Sequence, residues 1–185
     1  MKLEQFLRRA WTRVNGLSIA LLPLAVLYGV AARLHRLLYE IGFKKVRKPD
    51  LPVIVVGNLT VGGSGKTPVV AALAKALVDR GLRPGIVSRG YRRNEMQEVT
   101  LVDIDSPVAE VGDEPLLLRH QTGQPVAVGA NRYLAAQTLA DNYPLDCIIS
   151  DDGLQHFALQ SSFTICIDDQ SLGESNHLLL PAGPY

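Results

Sequence analysis

The stretch LPVIVVGN at residues 51–58, followed by LTVGGSGKTP and then VVAALAKALVDRG, constrains the fold more than any other part of the chain. LPVIVVGN is β-branched and apolar, ends at Gly57, and reads as a strand buried on both faces of a parallel sheet. Beyond the glycines, Val70, Leu73, Ala74 and Leu77 recur at helical spacing from a start at Lys66 or Thr67, and Gly81 is the stop. A strand, a Gly-rich turn and a helix in that order suit a phosphate-binding loop. Backbone N–H groups from Gly62 to Thr67 point at an anion, and the helix N-terminus adds partial positive charge. The pattern G-x-x-x-x-G-K-[ST] has a glycine where Thr60 stands here. Flexibility passes instead to Gly62 and Gly63, so Thr60, Val61, Gly62, Gly63, Ser64, Gly65, Lys66 and Thr67 form a candidate nucleotide loop of altered geometry. In such a loop Lys66 lies against the β- and γ-phosphates of ATP, and the Thr67 hydroxyl helps to hold Mg²⁺.

The rest of the body keeps the same rhythm. RPGIVSRG, QPVAVG, LDCIISDDG and FTICIDD read as strands, and DEPLLLRHQTG and NRYLAAQTLADNYP as helices. Alternating strands and helices predict an α/β fold, a mostly parallel sheet with helices on both faces like that of phosphate-loop NTPases. Residues 51–185 are expected to form this domain, and residues 1–50 a separate helical segment that associates with membrane. Cys147 and Cys166 lie in apolar runs without metal-ligand spacing, which suits a reducing compartment.

A nucleotide loop needs a carboxylate at the end of another strand to organise its metal. CIISDDG supplies Asp151 and Asp152 there, where an open parallel sheet presents its ligands. A capped turn is the alternative for adjacent aspartates, weakened here by the neighbouring phosphate loop. His156, four residues after Asp152, can orient it or a water, or can be structural. VGDEP places Asp113 and Glu114 before an apolar run. They serve either as helix-dipole partners or as a base and a metal ligand facing the γ-phosphate. SRGYRR offers Arg89, Arg92 and Arg93 to phosphates, or to solvent. No [NT]-K-x-D run for guanine recognition is present, which favours ATP over GTP.

Residues 1–50 hold ten Lys/Arg against three Asp/Glu, a net of +7, while the remainder is acidic. Within them VNGLSIALLPLAVLYGVAA carries no charge, and basic clusters flank it on both sides. The run is near the lower limit for a bilayer span, and Asn15, Gly16, Ser18 and Pro23 weaken it. Interfacial attachment to an anionic membrane surface fits best; a buried helical hairpin and a true span are the alternatives. Pro23 is expected to kink the helix or divide it. A signal peptide fits less well, since the basic stretch continues past the apolar run and no clear small-residue cleavage site stands out. The basic residues adjoin an apolar helix and the aromatics form no stacking surface, which argues against nucleic acid as a partner.

PVIVVGNLTVGGSGKTP, SRGY, VGDEP, DDGLQH and LLLPAGP, in that order behind a basic apolar N-terminus, resemble the tetraacyldisaccharide 4'-kinases. These enzymes phosphorylate the lipid A precursor at the inner membrane of Gram-negative bacteria. A phosphate loop lacking its first glycine is in keeping with that family. The resemblance implies ATP and Mg²⁺ as cofactors, tetraacyldisaccharide 1-phosphate as acceptor through its 4'-hydroxyl, and the cytoplasmic face of the inner membrane as location. It implies that Gly62 to Thr67 hold the ATP phosphates and that Asp113 is the base. Asp151 and Asp152, with Glu114 and His156, form the metal and catalytic network, alongside Lys66. It also implies a second α/β half beyond Tyr185, and an exposed apolar face where that half docks. Two rival readings share these motifs: a membrane-associated ATPase that needs no lipid, and a nucleotide-binding module that transfers nothing.

Overall fold

The computed structural model describes residues 10–58, 65–90, 98–154, 157–168 and 175–185. Two compact units emerge. One comprises Lys45–Asn58 with Gly65–Ile167; the other draws on the chain up to Lys44 and from Asp168 onward.

The larger unit is built on a six-stranded sheet in the order β3-β4-β2-β5-β1-β6. The strands are β1 Val53–Asn58, β2 Pro84–Ser88, β3 Val99–Val102, β4 Val126–Gly129, β5 Cys147–Asp151 and β6 Phe163–Ile167. All neighbours run parallel except β3, which pairs antiparallel with β4 at the edge. The sequence pattern gives no strand at Val99–Val102. Four residues are too short for a legible alternation, and pairing with β4 decides their state. At the other edge β6 is largely exposed, with Phe163 69% accessible.

The helices α2 Lys66–Val78, α3 Val108–Val111, α4 Asp113–Thr122 and α5 Arg132–Asn142 lie between β1 and β2, between β3 and β4 (α3 and α4), and between β4 and β5. Strand period two sorts the side chains onto two faces. Val56, Ile86, Val128 and Ile149 pack with Val70 and Ala74 of α2 and Leu118 of α4. Val53, Val55, Val87, Ala127 and Ile148 pack instead with Ala135, Ala136 and Leu139 of α5. The chain crosses from β1 to β2 by way of α2, then returns from β4 to β5 by way of α5. Right-handed crossovers that reverse direction must change faces, which explains why α5 lies opposite α2 and α4. Fully burying each such Val, Leu or Ile contributes about 1.5–3 kcal/mol relative to exposure. The functional consequence is that β1, β2, β4 and β5 all end along one rim of the sheet.

In the other unit, α1 Gly16–Glu40 is one helix of 25 residues with Pro23 inside it. The division expected at Pro23 does not occur. Proline removes one i→i−4 bond but its fixed φ is compatible with helix, and the surrounding turns carry the element through. Asn15 caps it, its side chain accepting from the Ser18 N–H at 3.0 Å. One narrow stripe, Ser18, Ala25 and Gly29, is buried. Segment 175–185 packs there. Asn176 Nδ2 donates to Ser18 Oγ at 3.3 Å, the Trp11 indole N–H donates to the Pro181 carbonyl at 3.1 Å, and Leu179 Cδ1 would lie 2.7 Å from a Cβ added at Gly29. The remaining faces expose Ile19, Leu24, Val26, Leu27, Val30 and Leu34. By length and composition α1 can cross a membrane.

Candidate active site

Lys66 opens α2 behind Gly65, which adopts a left-handed conformation at φ +70°. A Cβ added at Gly65 meets nothing within 4 Å, so glycine is required by backbone conformation rather than by crowding. The first turn of α2 carries neither an acidic residue nor a side-chain cap, and Pro68 has no N–H to offer. The Lys66 and Thr67 N–H groups therefore head a helix N-terminus suited to an anion. Thr67 is half-buried one residue into the helix. Thr60, Val61, Gly62, Gly63 and Ser64 lie outside the described residues, as do His156, Arg92 and Arg93.

Lys66 Nζ is 2.7 Å from Asp152 Oδ1, so the end of β5 meets the start of α2. The Lys66 side chain is 20% exposed and that of Asp152 58%. A pair so open to water is worth about 0–1 kcal/mol and can exchange partners readily. Asp152 has φ +55°, a left-handed conformation that a non-glycine residue adopts at a cost. The turn is closed by the Gly153 N–H donating to the Val56 carbonyl at 3.3 Å.

Asp151 differs from its neighbour in every respect. It is 2% exposed, and Oδ2 accepts from the Ser88 hydroxyl at 3.5 Å, a long bond. Oδ1 is buried without a partner. Burial first, and then the nearby Glu114 carboxylate, push Asp151 up to about 6, against the opposing pull of Lys66 and Arg132. The same electrostatics place Glu114, on the first turn of α4, in the Asp151 neighbourhood. Asp113, one residue earlier, is exposed and accepts from the Glu114 N–H at 3.0 Å within the first turn of α4. The structure thus brings Lys66, Asp151, Asp152 and Glu114 together, with Asp113 beside Glu114.

Two residues of this rim have no site role legible in the sequence pattern. Ser88 ends β2 and bonds Asp151. Arg132 opens α5 after β4, is 3% exposed, and feels Arg89, Asp152 and Asp151. A cation at a helix N-terminus opposes the macrodipole, and that mismatch in NRY is the signal that reveals it.

An unpartnered buried carboxylate oxygen beside an open helix N-terminus fits a divalent cation carried on phosphate. Among the described residues no three His, Cys, Asp or Glu side chains form a self-sufficient metal cage. Mg²⁺ needs no such cage, being held by one or two carboxylates, waters and substrate phosphates.

Residues 17–185 match the family described as Tetraacyldisaccharide-1-P 4'-kinase. The chain belongs to that family. Tetraacyldisaccharide 4'-kinase of Shewanella frigidimarina is 43% identical over 182 residues, covering 98% of this chain and 54% of its own length. That of Delftia acidovorans is 49% identical over 182 residues, covering 96% and 52%. A crystal structure of LpxK from Aquifex aeolicus in complex with ATP superposes with a TM-score of 0.80 at 36% identity, over 91% of this chain and 53% of that one. The mixed α/β fold with its mostly parallel sheet, flanking helices and N-terminal apolar helix matches that kinase. The chain spans about half the length of the curated tetraacyldisaccharide 4'-kinases that it matches.

Proposed function

We propose that this polypeptide carries the ATP-binding and phosphoryl-transferring rim of a tetraacyldisaccharide 4'-kinase, with tetraacyldisaccharide 1-phosphate as acceptor. The observation that carries this reading is the meeting of Lys66 with Asp152 at 2.7 Å, beside the unpartnered Asp151, in a chain of that family. Gly65, Lys66 and Thr67, continuing the loop from Thr60 to Ser64, hold the triphosphate. Lys66 leaves Asp152 for phosphate oxygens, a cheap exchange at this exposure. Thr67, Asp151, Asp152 and Glu114 are the residues that would hold Mg²⁺, which supplies neutralisation of the β- and γ-phosphate oxygens.

Asp113 takes the proton of the 4'-hydroxyl. That oxygen forms its bond to the γ-phosphorus as the bond to the bridging oxygen breaks, leaving ADP and the 4'-phosphorylated lipid. His156 orients Asp152 or a water. Positioning and charge neutralisation do most of this work, since phosphoryl transfer asks for little covalent participation by protein.

The acceptor is anchored by acyl chains and the donor is in water, so the reaction belongs at an interface. We assign α1 to the cytoplasmic surface of the inner membrane, its exposed leucines and valines among acyl chains and the flanking Lys/Arg near anionic head groups. Interfacial attachment is favoured over a span by segment 175–185. Tied to Ser18 through Asn176, it packs along α1 as far as Gly29, and a spanning helix would draw the polar backbone of that strap into hydrocarbon.

The test is transfer of labelled γ-phosphate from ATP to tetraacyldisaccharide 1-phosphate in mixed micelles. Label should appear in the lipid and be lost in Lys66→Ala. No transfer, while a full-length relative is active in the same assay, would reduce this chain to a nucleotide-binding portion. Hydrolysis that is indifferent to lipid would favour the ATPase reading.

A further inference from the structure

We propose that Arg132 and Arg89 form a subsite for the terminal phosphoryl group of the bound nucleoside triphosphate, Arg132 held rigidly from below and Arg89 closing from solvent. This deepens the phosphate-transfer reading and rests on it.

The placement follows from strand order. Along the rim, β4, β2, β5 and β1 are consecutive neighbours; Arg132 and Arg89 follow β4 and β2, Asp151 ends β5 with Asp152 after it, and Lys66 opens the helix that follows β1. Strands are spaced by about 4.8 Å, so β2 is about 10 Å from β1 across β5. A triphosphate whose inner phosphates lie at the start of α2 extends its last group over β5 toward β2 and β4. Two guanidinium groups are the donors it meets there.

Arg132 is built for such a ligand and is poorly served without one. It is 3% exposed, and its Nη1 donates to the Gly129 carbonyl at 2.7 Å, which anchors the planar fork. Its Nε is buried with no hydrogen-bond partner. Among the described residues it makes no ion pair with any carboxylate. Burial and then the neighbouring Arg89 push its guanidinium down to about 10, while Asp152 and Asp151 act the other way. A buried cation with a spare donor and a like-charged neighbour is only partly compensated in the protein alone. Arg89 is exposed immediately after β2. A dianionic oxygen cluster satisfies both, since guanidinium geometry matches phosphate edge-on.

The experiment measures affinities of fluorescently labelled ATP and ADP for the 185-residue chain with Mg²⁺ in detergent micelles. Arg132→Gln and Arg89→Gln should each weaken ATP binding by about tenfold while leaving ADP binding within about twofold, as for loss of one charged hydrogen-bonding partner. Arg132→Lys should restore part of the ATP affinity. Arg89 is outside the core, so its variant remains informative if Arg132→Gln fails to fold in a circular-dichroism melt.

The proposal is overturned if the folded variants keep the wild-type ratio of ATP to ADP affinity, or lose both nucleotides equally. It is also overturned if nucleotide affinities are unchanged and, in the phosphate-transfer assay, the variants alter only the acceptor KM, which assigns the pair to the acceptor's own phosphate. Wild-type chain that binds neither nucleotide removes the phosphate-transfer reading and the subsite with it. Wild-type binding with unaffected variants removes the subsite alone.

Discussion

Replacing Asp151 by Asn should stabilise the protein at neutral pH while removing a carboxylate of the proposed site. The Asp151 carboxyl is 2% exposed and pushed up to about 6 from 3.8 by burial and the Glu114 charge. The folded state therefore holds this proton more tightly than the unfolded chain does. Below about pH 4 both states are protonated and the group is neutral in its effect. As pH rises toward 6, stability falls, and above 6 the full penalty of the buried charge is present. A shift of about 2 units corresponds to about 3 kcal/mol at pH 7.5, and to about 0.5 kcal/mol at pH 4. Asn keeps the shape and can still accept from Ser88, so it removes the charge without opening a cavity. The assay is urea unfolding of wild type and variant at both pH values, free of nucleotide and with EDTA present. The variant should gain about 2–3 kcal/mol at pH 7.5, with most of that advantage gone at pH 4, and should lose Mg²⁺-dependent ATP binding. A variant no more stable than wild type at pH 7.5, or an advantage that does not change with pH, would refute the reasoning.

Two further perturbations examine the two units separately. Leu24→Asp with Leu27→Asp on the exposed side of α1 should weaken co-sedimentation with anionic phospholipid vesicles by tenfold or more, since each leucine contributes about 1.5–3 kcal/mol on burial; unchanged sedimentation would exclude that face from the membrane. Gly85→Ala in β2 places a methyl 2.5 Å from Leu145 Cδ1, 3.2 Å from Ile148 Cδ1 and 3.3 Å from Leu139 Cδ1. It should cost about 1–3 kcal/mol in a thermal melt, and no loss would mean that these three side chains yield freely.

The strand–loop–helix unit was legible because its information is local. β-branched residues up to Gly57, glycines, and a helical period beginning at Lys66 all lie within one short window. The aspartates at the end of β5 were legible for the same reason. What escaped depends on partners distant in sequence. β3 exists because β4 offers an edge, Ser88 matters because Asp151 is beside it, and the stripe of Ser18, Ala25 and Gly29 is buried because segment 175–185 covers it. At Pro23 the expected division, a local penalty, was overridden by the rest of a 25-residue helix.

The strongest physical reason to read the rim as a site is a comparison within this protein. Arg83 and Asp146 form a finished ion pair: the Arg83 Nε and Nη2 donate to the two carboxylate oxygens, both at 2.9 Å. That hydrogen bonding raises the Arg83 pKa and lowers Asp146 to about 2, so each partner favours the charge on the other. On the rim the signs are reversed. Arg132 is pushed down and Asp151 up, each chiefly by burial and each with a like-charged neighbour adding to the effect. Each also keeps one buried polar atom unpaired, Nε on the arginine and Oδ1 on the aspartate. Two opposite charges that share a neighbourhood but do not neutralise each other are costly in a structural network. They become reasonable when a third party brings both signs, phosphate oxygens for the guanidinium and a divalent cation for the carboxylate. A magnesium–nucleotide complex has that composition, so the cost borne by Arg132 and Asp151 supports the ligand proposed for this rim.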